Sequence, residues 1–555
     1  MVDPSSRAHR GFFFCLNDRQ TRDSFFPRGF HFIIALLFLF FALNWIIQKI
    51  EKLKAMQSAK VKPKGKLETY FEPYRKNVIG YDQIFETPFG QKRILYADWT
   101  ASGRLYSPVE KLLTEEIGPF VGNTHTETTV TGSSMTMAYH HAKKYIKKHV
   151  GAWESDVIIS SNSGMTGVVN KFQRILGLKV HERFRKGVNL PEEKRPVVFV
   201  SHMEHHSNQT SWLETIGDVV VIPANKEGLM ELENLEALLK QYEDRKSKIA
   251  AITSCSNVTG IITPYHDVAE LMHRYGGLCF VDFACSAPYI EIEMRPENKA
   301  RHLDAIYFSP HKFLGGPGST GILIFDPKLY KNKIPDNPGG GTVDWTNPWG
   351  EHKYIDEIEN REDGGTPAFL QTMKVALAMQ LKEEMGIDKM LEREEEILEK
   401  IWHRLDQLPN LHVLANNVRD RLGVISFYID NLHFNLGVKL LNDHFGIQVR
   451  GGCSCAGTYG HYLLEVTQEF SKQITEQIGM GNLSGKPGWI RMSIHPTMTD
   501  AEVDYLLDGL EGLCKNHEEW SKSYEYNLHT NEFTFIGNDN REEKLVKGWF
   551  DRKLH

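Results

Sequence analysis

Tyr307 to Phe325 reads "YFSPHKFLGGPGSTGILIF". A strand-like apolar run ends in Ser309-Pro310-His311-Lys312, glycines follow, and a second apolar run opens at Gly321. A surface lysine needs no such setting. A lysine that forms a Schiff base does, because its amine must stand at a fixed point, partly desolvated, to be neutral and nucleophilic. The stretch therefore reads as strand, turn and strand, with Lys312 on the turn as the candidate for chemistry.

Outward from this stretch the pattern is α/β. Short apolar runs recur at "DVIIS" (156), "VVFVS" (197), "DVVVIP" (218), "IAAITS" (249), "LCFVD" (278), "AIYFS" (305) and "GILIF" (321). Helical periods such as "NLEALLKQYEDRK" and "HDVAELMHRYG" separate several of them. Buried strands alternating with helices predict a large domain, residues 67–375, built on a mostly parallel sheet covered on both faces. A long amphipathic helix is expected near Thr372 to Leu408. A smaller α+β domain, 376–520, follows from "GVISFYI", "LGVKLLNDHFG", "IQVR" and "WIRMSI", and it closes with a helix capped by Thr499 and Glu502. Residues 521–555 read as a polar tail.

In open α/β sheets, ligands bind outside the carboxyl ends of the strands. The residues found there are a turn at Gly164, Met165 and Thr166, then His205, Asn257, Asp282, Ser309, His311 and Lys312. This set suits a flat, phosphorylated, nitrogen-containing ring such as pyridoxal phosphate. The turn at Gly164 to Thr166 opens a helix and offers N–H groups and a hydroxyl to phosphate, and Ser309 and His311 could add donors. Asp282 would keep a pyridine nitrogen protonated, His205 would stack on the ring, Asn257 would bond its phenolic oxygen, and Lys312 would be the covalent attachment. An isolated Asp after a strand is ordinarily a cap, and paired histidines are ordinarily structural. The ordered set, ending in a lysine, is what carries the reading.

Those segments resemble the class V aminotransferase family, whose fold is the type I pyridoxal phosphate fold. "SPHKFLGGPGSTGILIF" is similar to its Schiff-base motif, and "SCSNVTGIITPYHDVAELMHRYGGLCFVDFACSAP" to the segment bearing its Asn and pyridine-pairing Asp. "MEHHSNQTSW" resembles the ring-stacking segment of the cysteine desulfurase and selenocysteine lyase branch. "EDGGTPAF" resembles a Gly-Thr-Pro loop, which implies that Thr366 serves the phosphate of a neighbouring subunit in a homodimer. The resemblance spans roughly residues 80 to 515.

The stretch "QVRGGCSCAGTYGH", Gln448 to His461, bears on the reaction. Its Arg-x-Gly-x-x-Cys-Ala spacing resembles the branch's sulfur-accepting loop and implies that Cys455 takes sulfur as a persulfide, beside Arg450. "GWIRMSIHPTMTDAEVDYLL" implies Arg491 as the partner of the substrate α-carboxylate, since a guanidinium fork matches a carboxylate in two bonds. The bland alternative for Cys455 is a buried small hydrophobe on a glycine-rich loop. Cys453, Cys455 and His461 lack the paired spacing of a zinc module, so no metal is expected. Cys453 reads as a resolving thiol or a bystander. Cys285 stands where the family usually has Gln, Met165-Thr166-Gly167 where the branch often has Thr-Thr-Glu, and Pro310 where a small residue is usual. The resemblance thus implies a pyridoxal phosphate enzyme acting on an amino acid, cysteine or selenocysteine, with a sulfur-acceptor protein as partner. Another class V transamination or lyase reaction, or a membrane-tethered scaffold without turnover, remains as an alternative.

The bulk numbers fit this frame. With 555 residues the chain exceeds one compact domain, and a net charge of −6 offers no basic field for nucleic acid. Seven cysteines, an odd number in a long chain, suggest free thiols in a reducing compartment. The first 66 residues differ. Phe30 to Ile47, "FHFIIALLFLFFALNWII", is apolar enough for a marginal spanning helix, and a lysine-rich connector, 48–66, follows. No convincing small-residue cleavage site follows it, so an N-terminal membrane anchor is expected rather than a signal peptide. Five arginines precede the span and seven lysines follow it up to Lys66. The excess places the body in the cytoplasm.

Overall fold

The structure is a computed structural model that describes residues 66–124, 126–161, 164–537 and 540–555. The apolar stretch 30–47, and with it the expected anchor, lies outside the described residues. Among the described residues no helix is long and apolar enough to cross a membrane. Leu67–His555 forms one compact unit.

The seven apolar runs form one sheet. Its strands are β1 (Val157–Ser161), β2 (Val197–Ser201), β3 (Asp218–Ile222), β4 (Lys248–Thr253), β5 (Leu278–Asp282), β6 (Ala305–Phe308) and β7 (Gly321–Phe325). Their order across the sheet is β1-β7-β6-β5-β4-β2-β3. Strands β2, β4, β5, β6 and β7 are buried along their whole length, apart from the half-buried Leu278. Continuous runs of Val, Ile and Phe, rather than alternation, suit strands covered on both faces. The sheet is mostly parallel, as expected, with one exception: β7 runs antiparallel to both β1 and β6. A parallel crossover needs a long connection, usually a helix. Residues 309–320 supply only the 3-10 turn Pro310–Lys312, so the chain reverses. Close packing fixes this edge: a Cβ on Gly321 would lie 2.2 Å from the Gly164 carbonyl oxygen.

A second, antiparallel sheet orders Leu411–Val413, Val424–Ile429, Trp489–Ser493 and Arg450–Gly452 side by side. The helices Phe434–Phe445 and Asp500–Ser521 share its apolar core. The capping box at Thr499 and Glu502 is present in both directions. The long helix expected over Thr372–Leu408 is two helices, Phe369–Met385 and Ile387–Leu405. They break at Gly386, whose φ of +77° is open to glycine at little cost. The domain boundary expected at 375 falls inside the first of them. The tail is more structured than its polarity suggests: Tyr524–Asn527 and Glu532–Phe535 form a hairpin. Its buried Tyr524 donates to the Asp443 carboxylate at 2.8 Å.

One buried acid in this framework gives a pH test. Glu394, on the second of the two helices, is 3% exposed and accepts the Gly423 N–H. Burial pushes its pKa up to about 7, against the pull of that N–H. A carboxyl raised in the folded state stabilises fully below its unfolded pKa and loses that contribution as pH rises through about 7. Glu394→Gln removes the ionisation. Its melting temperature relative to wild type should therefore climb between pH 4.5 and pH 8, by the equivalent of roughly 2–3 kcal/mol. A constant offset across that range in thermal melts would contradict the assignment.

Candidate active site

The carboxyl ends of β1, β2, β4, β5 and β6 converge on a cavity of about 440 Å³. Gly164, Met165, Thr166, His205, Asn257, Asp282, Ser309, His311 and Lys312 all line it, joined by Arg450, Arg491 and Cys455 from the small-sheet side. Thr366 does not line it. It is exposed, in the loop before the helix Phe369–Met385.

Lys312 ends the 3-10 turn after β6, and its backbone is tied to Ser309. Desolvation pulls its amine below the usual lysine range, with Arg491 and Arg450 adding to the pull while Cys285 and Asp282 oppose it. This is the direction a nucleophilic amine requires. Asp282, at the end of β5, is 2% exposed, and its Oδ1 accepts the Ala284 N–H at 2.8 Å. Burial raises its pKa to about 6, opposed by that N–H and by Lys312. A cationic nitrogen brought into the cavity would pull that pKa back down.

His205 caps the helix His206–Leu213, and its Nδ1 accepts the Ser207 N–H at 3.1 Å. That contact places the proton of the neutral ring on Nε2. Burial, then Lys312, His206 and Arg491, lower its pKa to about 3. His311 falls to about 4 through burial and the neighbouring lysine. Both rings are therefore neutral at physiological pH.

At the other end, the helix Gly164–Ile175 points its first turn at the cavity. Ser309 Oγ accepts the Met165 N–H at 2.9 Å, which leaves the hydroxyl proton free to donate. Thr166 Oγ1 and Ser207 Oγ lie 2.6 Å apart. Ser319, which the sequence reading passed over, also lines the cavity and has a buried hydroxyl oxygen without a partner. Helix N–H groups, with the unpartnered Ser319 hydroxyl and the free hydroxyl proton of Ser309, form a fit for a phosphate. With Lys312 and Asp282 lining the same cavity, the donor set fits pyridoxal phosphate.

The small-sheet side carries the exposed Cys455. Ser454 and Cys455 both adopt left-handed backbone, with φ of 51° and 55°. Two successive non-glycine residues there are costly and must be held. His206 N–H donates to the Cys455 carbonyl at 2.7 Å, His206 Nε2 accepts the Gly457 N–H at 2.8 Å, and Trp489 Nε1 donates to Ser454 Oγ at 3.1 Å. Asn257 joins this restraint: its side-chain amide donates to the Ser454 carbonyl at 2.7 Å, and its own carbonyl accepts Arg491 Nη1 at 3.1 Å. The residue expected to bond a ring oxygen thus also couples the thiol loop to Arg491. Cys453 is half-buried against the core. His461 is engaged by the Gly457 carbonyl and Ser471 Oγ.

Residues given no role from the sequence complete the site. Asp98 holds both arginines, His206 holds the thiol loop, and the Cys255 and Cys285 thiols both approach the Ser256 carbonyl, at 3.7 and 3.6 Å. Burial pushes the Cys255 thiol well up. The single visible signal for Asp98 was "ILYAD", a short apolar run ending in an acid. The strand before it, Leu95–Tyr96, has two residues, too few for a period.

Comparison with known proteins gives a consistent set of relatives. A family model described as "Aminotransferase class-V" matches residues 95–506. A probable cysteine desulfurase from Halalkalibacterium halodurans is 28% identical over 368 residues, covering 65% of this chain and 84% of that protein. One from Staphylococcus epidermidis is 27% identical over 385 residues, 69% and 87% of the two chains. Among solved structures, a cysteine desulfurase of Thermococcus onnurineus in its apo form superposes with a TM-score of 0.63 at 22% identity, over 80% of this chain and 98% of that one. One from Escherichia coli gives 0.58 at 20% identity, over 75% and 93%. These structures share the fold.

Proposed function

Since the chain belongs to the class V aminotransferase family, we propose that it is a pyridoxal phosphate-dependent cysteine desulfurase, which converts L-cysteine to L-alanine and leaves the sulfur as a persulfide on Cys455. The observation that carries this is the exposed Cys455, pinned on a strained turn at the cavity that also holds Lys312. The relatives named above bear the same activity in their names.

Pyridoxal phosphate, when bound, supplies an electron sink for bonds broken at the substrate's α- and β-carbons. Gly164 to Thr166, Ser309, His311 and Ser319 would hold its phosphate, Asp282 its ring nitrogen, His205 its face and Lys312 its aldehyde carbon. Arg491 and Arg450 fix the α-carboxylate, so that the α-hydrogen faces the amine of Lys312, which takes and returns that proton. The Cys455 thiolate receives the sulfur. The S–S bond of the persulfide forms as the substrate's Cβ–S bond breaks, the electron pair of that bond goes to the β-carbon, and a proton equivalent to the one Cys455 gave up completes the methyl group of alanine, so no outside oxidant is needed.

Residues 67–555, purified with pyridoxal phosphate and given L-cysteine and a reducing thiol, should release sulfide and alanine in equal amounts. Alanine from selenocysteine alone, or transfer of the amino group to a keto acid, would move the assignment to a selenocysteine lyase or a transaminase. No product from any of them would leave a scaffold. Two further parts of the reading rest on sequence: Thr366, exposed and outside the cavity, suits service to a second copy in a homodimer, and residues 30–47 suit a membrane anchor with the body in the cytoplasm.

A further inference from the structure

We propose that Asp98 is a positioning residue that makes Arg491 and Arg450 one carboxylate clamp, and that its charge restricts the clamp to substrates with a single free carboxylate. This rests on reading Arg491 as the α-carboxylate site. Arg450 and Arg491 are direct partners across the antiparallel strands Arg450–Gly452 and Trp489–Ser493. Like charges placed opposite each other in a sheet repel. Asp98 divides its two oxygens between them: Oδ2 accepts Arg450 Nε at 3.0 Å and Oδ1 accepts Arg491 Nη2 at 2.8 Å.

The acid is held there by the backbone on both sides. Ala97 N–H donates to the Gln448 carbonyl at 2.9 Å, Ser493 N–H donates to the Ala97 carbonyl at 2.7 Å, and Thr100 N–H donates to Ser493 Oγ at 2.9 Å. Asp98 is 8% exposed and Arg491 3%. With Nη2 on Asp98 and Nη1 on the Asn257 carbonyl, the Arg491 plane cannot turn. Its Nε is buried without a partner. Arg450, bonded through Nε, keeps both terminal nitrogens for the cavity it lines, and half of its side chain is exposed. Two cations and one anion leave a net single positive charge, which one carboxylate neutralises. A second carboxylate on the substrate would be desolvated without a partner.

Charge and geometry make opposite forecasts for Asp98→Asn. If charge alone mattered, removing the anion would tighten carboxylate binding. If Asp98 positions the fork, binding weakens. The test titrates pyridoxal phosphate-loaded protein with L-alanine, L-aspartate and cysteamine, followed by calorimetry and by the visible spectrum. Asp98→Asn should weaken L-alanine by roughly tenfold to a hundredfold and leave cysteamine, which lacks the carboxylate, within about threefold. It should also narrow the preference of the wild type for L-alanine over L-aspartate. Asp98→Glu should recover part of the loss. L-alanine bound equally or more tightly by Asp98→Asn overturns the proposal. Should Asp98→Asn fail to fold, Arg450→Gln carries the test: the same selective loss supports the clamp, and unchanged L-alanine binding refutes it. A wild type that binds L-alanine but forms no persulfide sinks the desulfurase reading and leaves the clamp standing.

Discussion

Lys312→Ala protein should lose its covalent cofactor and its turnover together. Wild-type protein supplied with pyridoxal phosphate is expected to be yellow, and borohydride should fix the cofactor to Lys312 in a peptide recovered by mass spectrometry. The variant should yield no such peptide, although the phosphate and ring contacts proposed for Ser309, Asp282 and His205 would remain to bind the cofactor reversibly. The structural reason is the setting of the amine. It is fixed by the turn Pro310–Lys312 and desolvated, and Asp282 lies near enough to oppose the resulting fall in its pKa. Alanine removes the attachment and also the group that moves the α-proton. Loss of a positioned acid–base group alone costs on the order of a hundred- to ten-thousandfold in rate. A wild-type adduct on any other lysine would refute the assignment. The buried Lys382 is the useful control: burial lowers its pKa to about 7, yet its amine is committed to the Ala287 and Ile290 carbonyls.

What was legible in the sequence is what repeats locally. The seven strands were visible because each is a short apolar run, and the cavity residues were visible because polar groups at strand ends stand out against those runs. Direction and long-range pairing leave no such trace. Nothing in "GILIF" says that β7 runs against its neighbours; that follows from the missing crossover helix in 309–320. Asp98 was hidden because the strand before it is two residues long and its partners, Arg450 and Arg491, lie far along the chain. The left-handed Ser454 and Cys455 were hidden because neither residue type advertises positive φ. The break at Gly386 was foreseeable in kind, since a glycine within a helical period can end it, but periodicity on both sides masked it.

Cys455→Ser should abolish sulfide release from L-cysteine while leaving the cofactor spectrum and L-alanine binding intact. Serine keeps the size of the side chain and tolerates the same backbone, so the restraints from His206, Asn257 and Trp489 on the loop should hold. What is lost is a thiolate, the form that accepts sulfur. A hydroxyl cannot replace it, and removal of a nucleophile that acts as one unit with its surroundings costs at least about a hundredfold. The proposed cofactor contacts come from the large-sheet strand ends and the thiol from a loop beside the small sheet, so the two functions should separate cleanly in this variant. Cys453→Ser is the matched control: Cys453 is half-buried against the core and does not line the cavity, so sulfide release should survive its loss unless it resolves the persulfide. Selenium leaves carbon more readily than sulfur, so an enzyme built for selenocysteine would keep releasing selenide from Cys455→Ser protein. A transaminase would be indifferent to the change and would require a keto acid. Undiminished sulfide release from cysteine by Cys455→Ser would refute the role given to this thiol, however well the cavity beside it fits the cofactor.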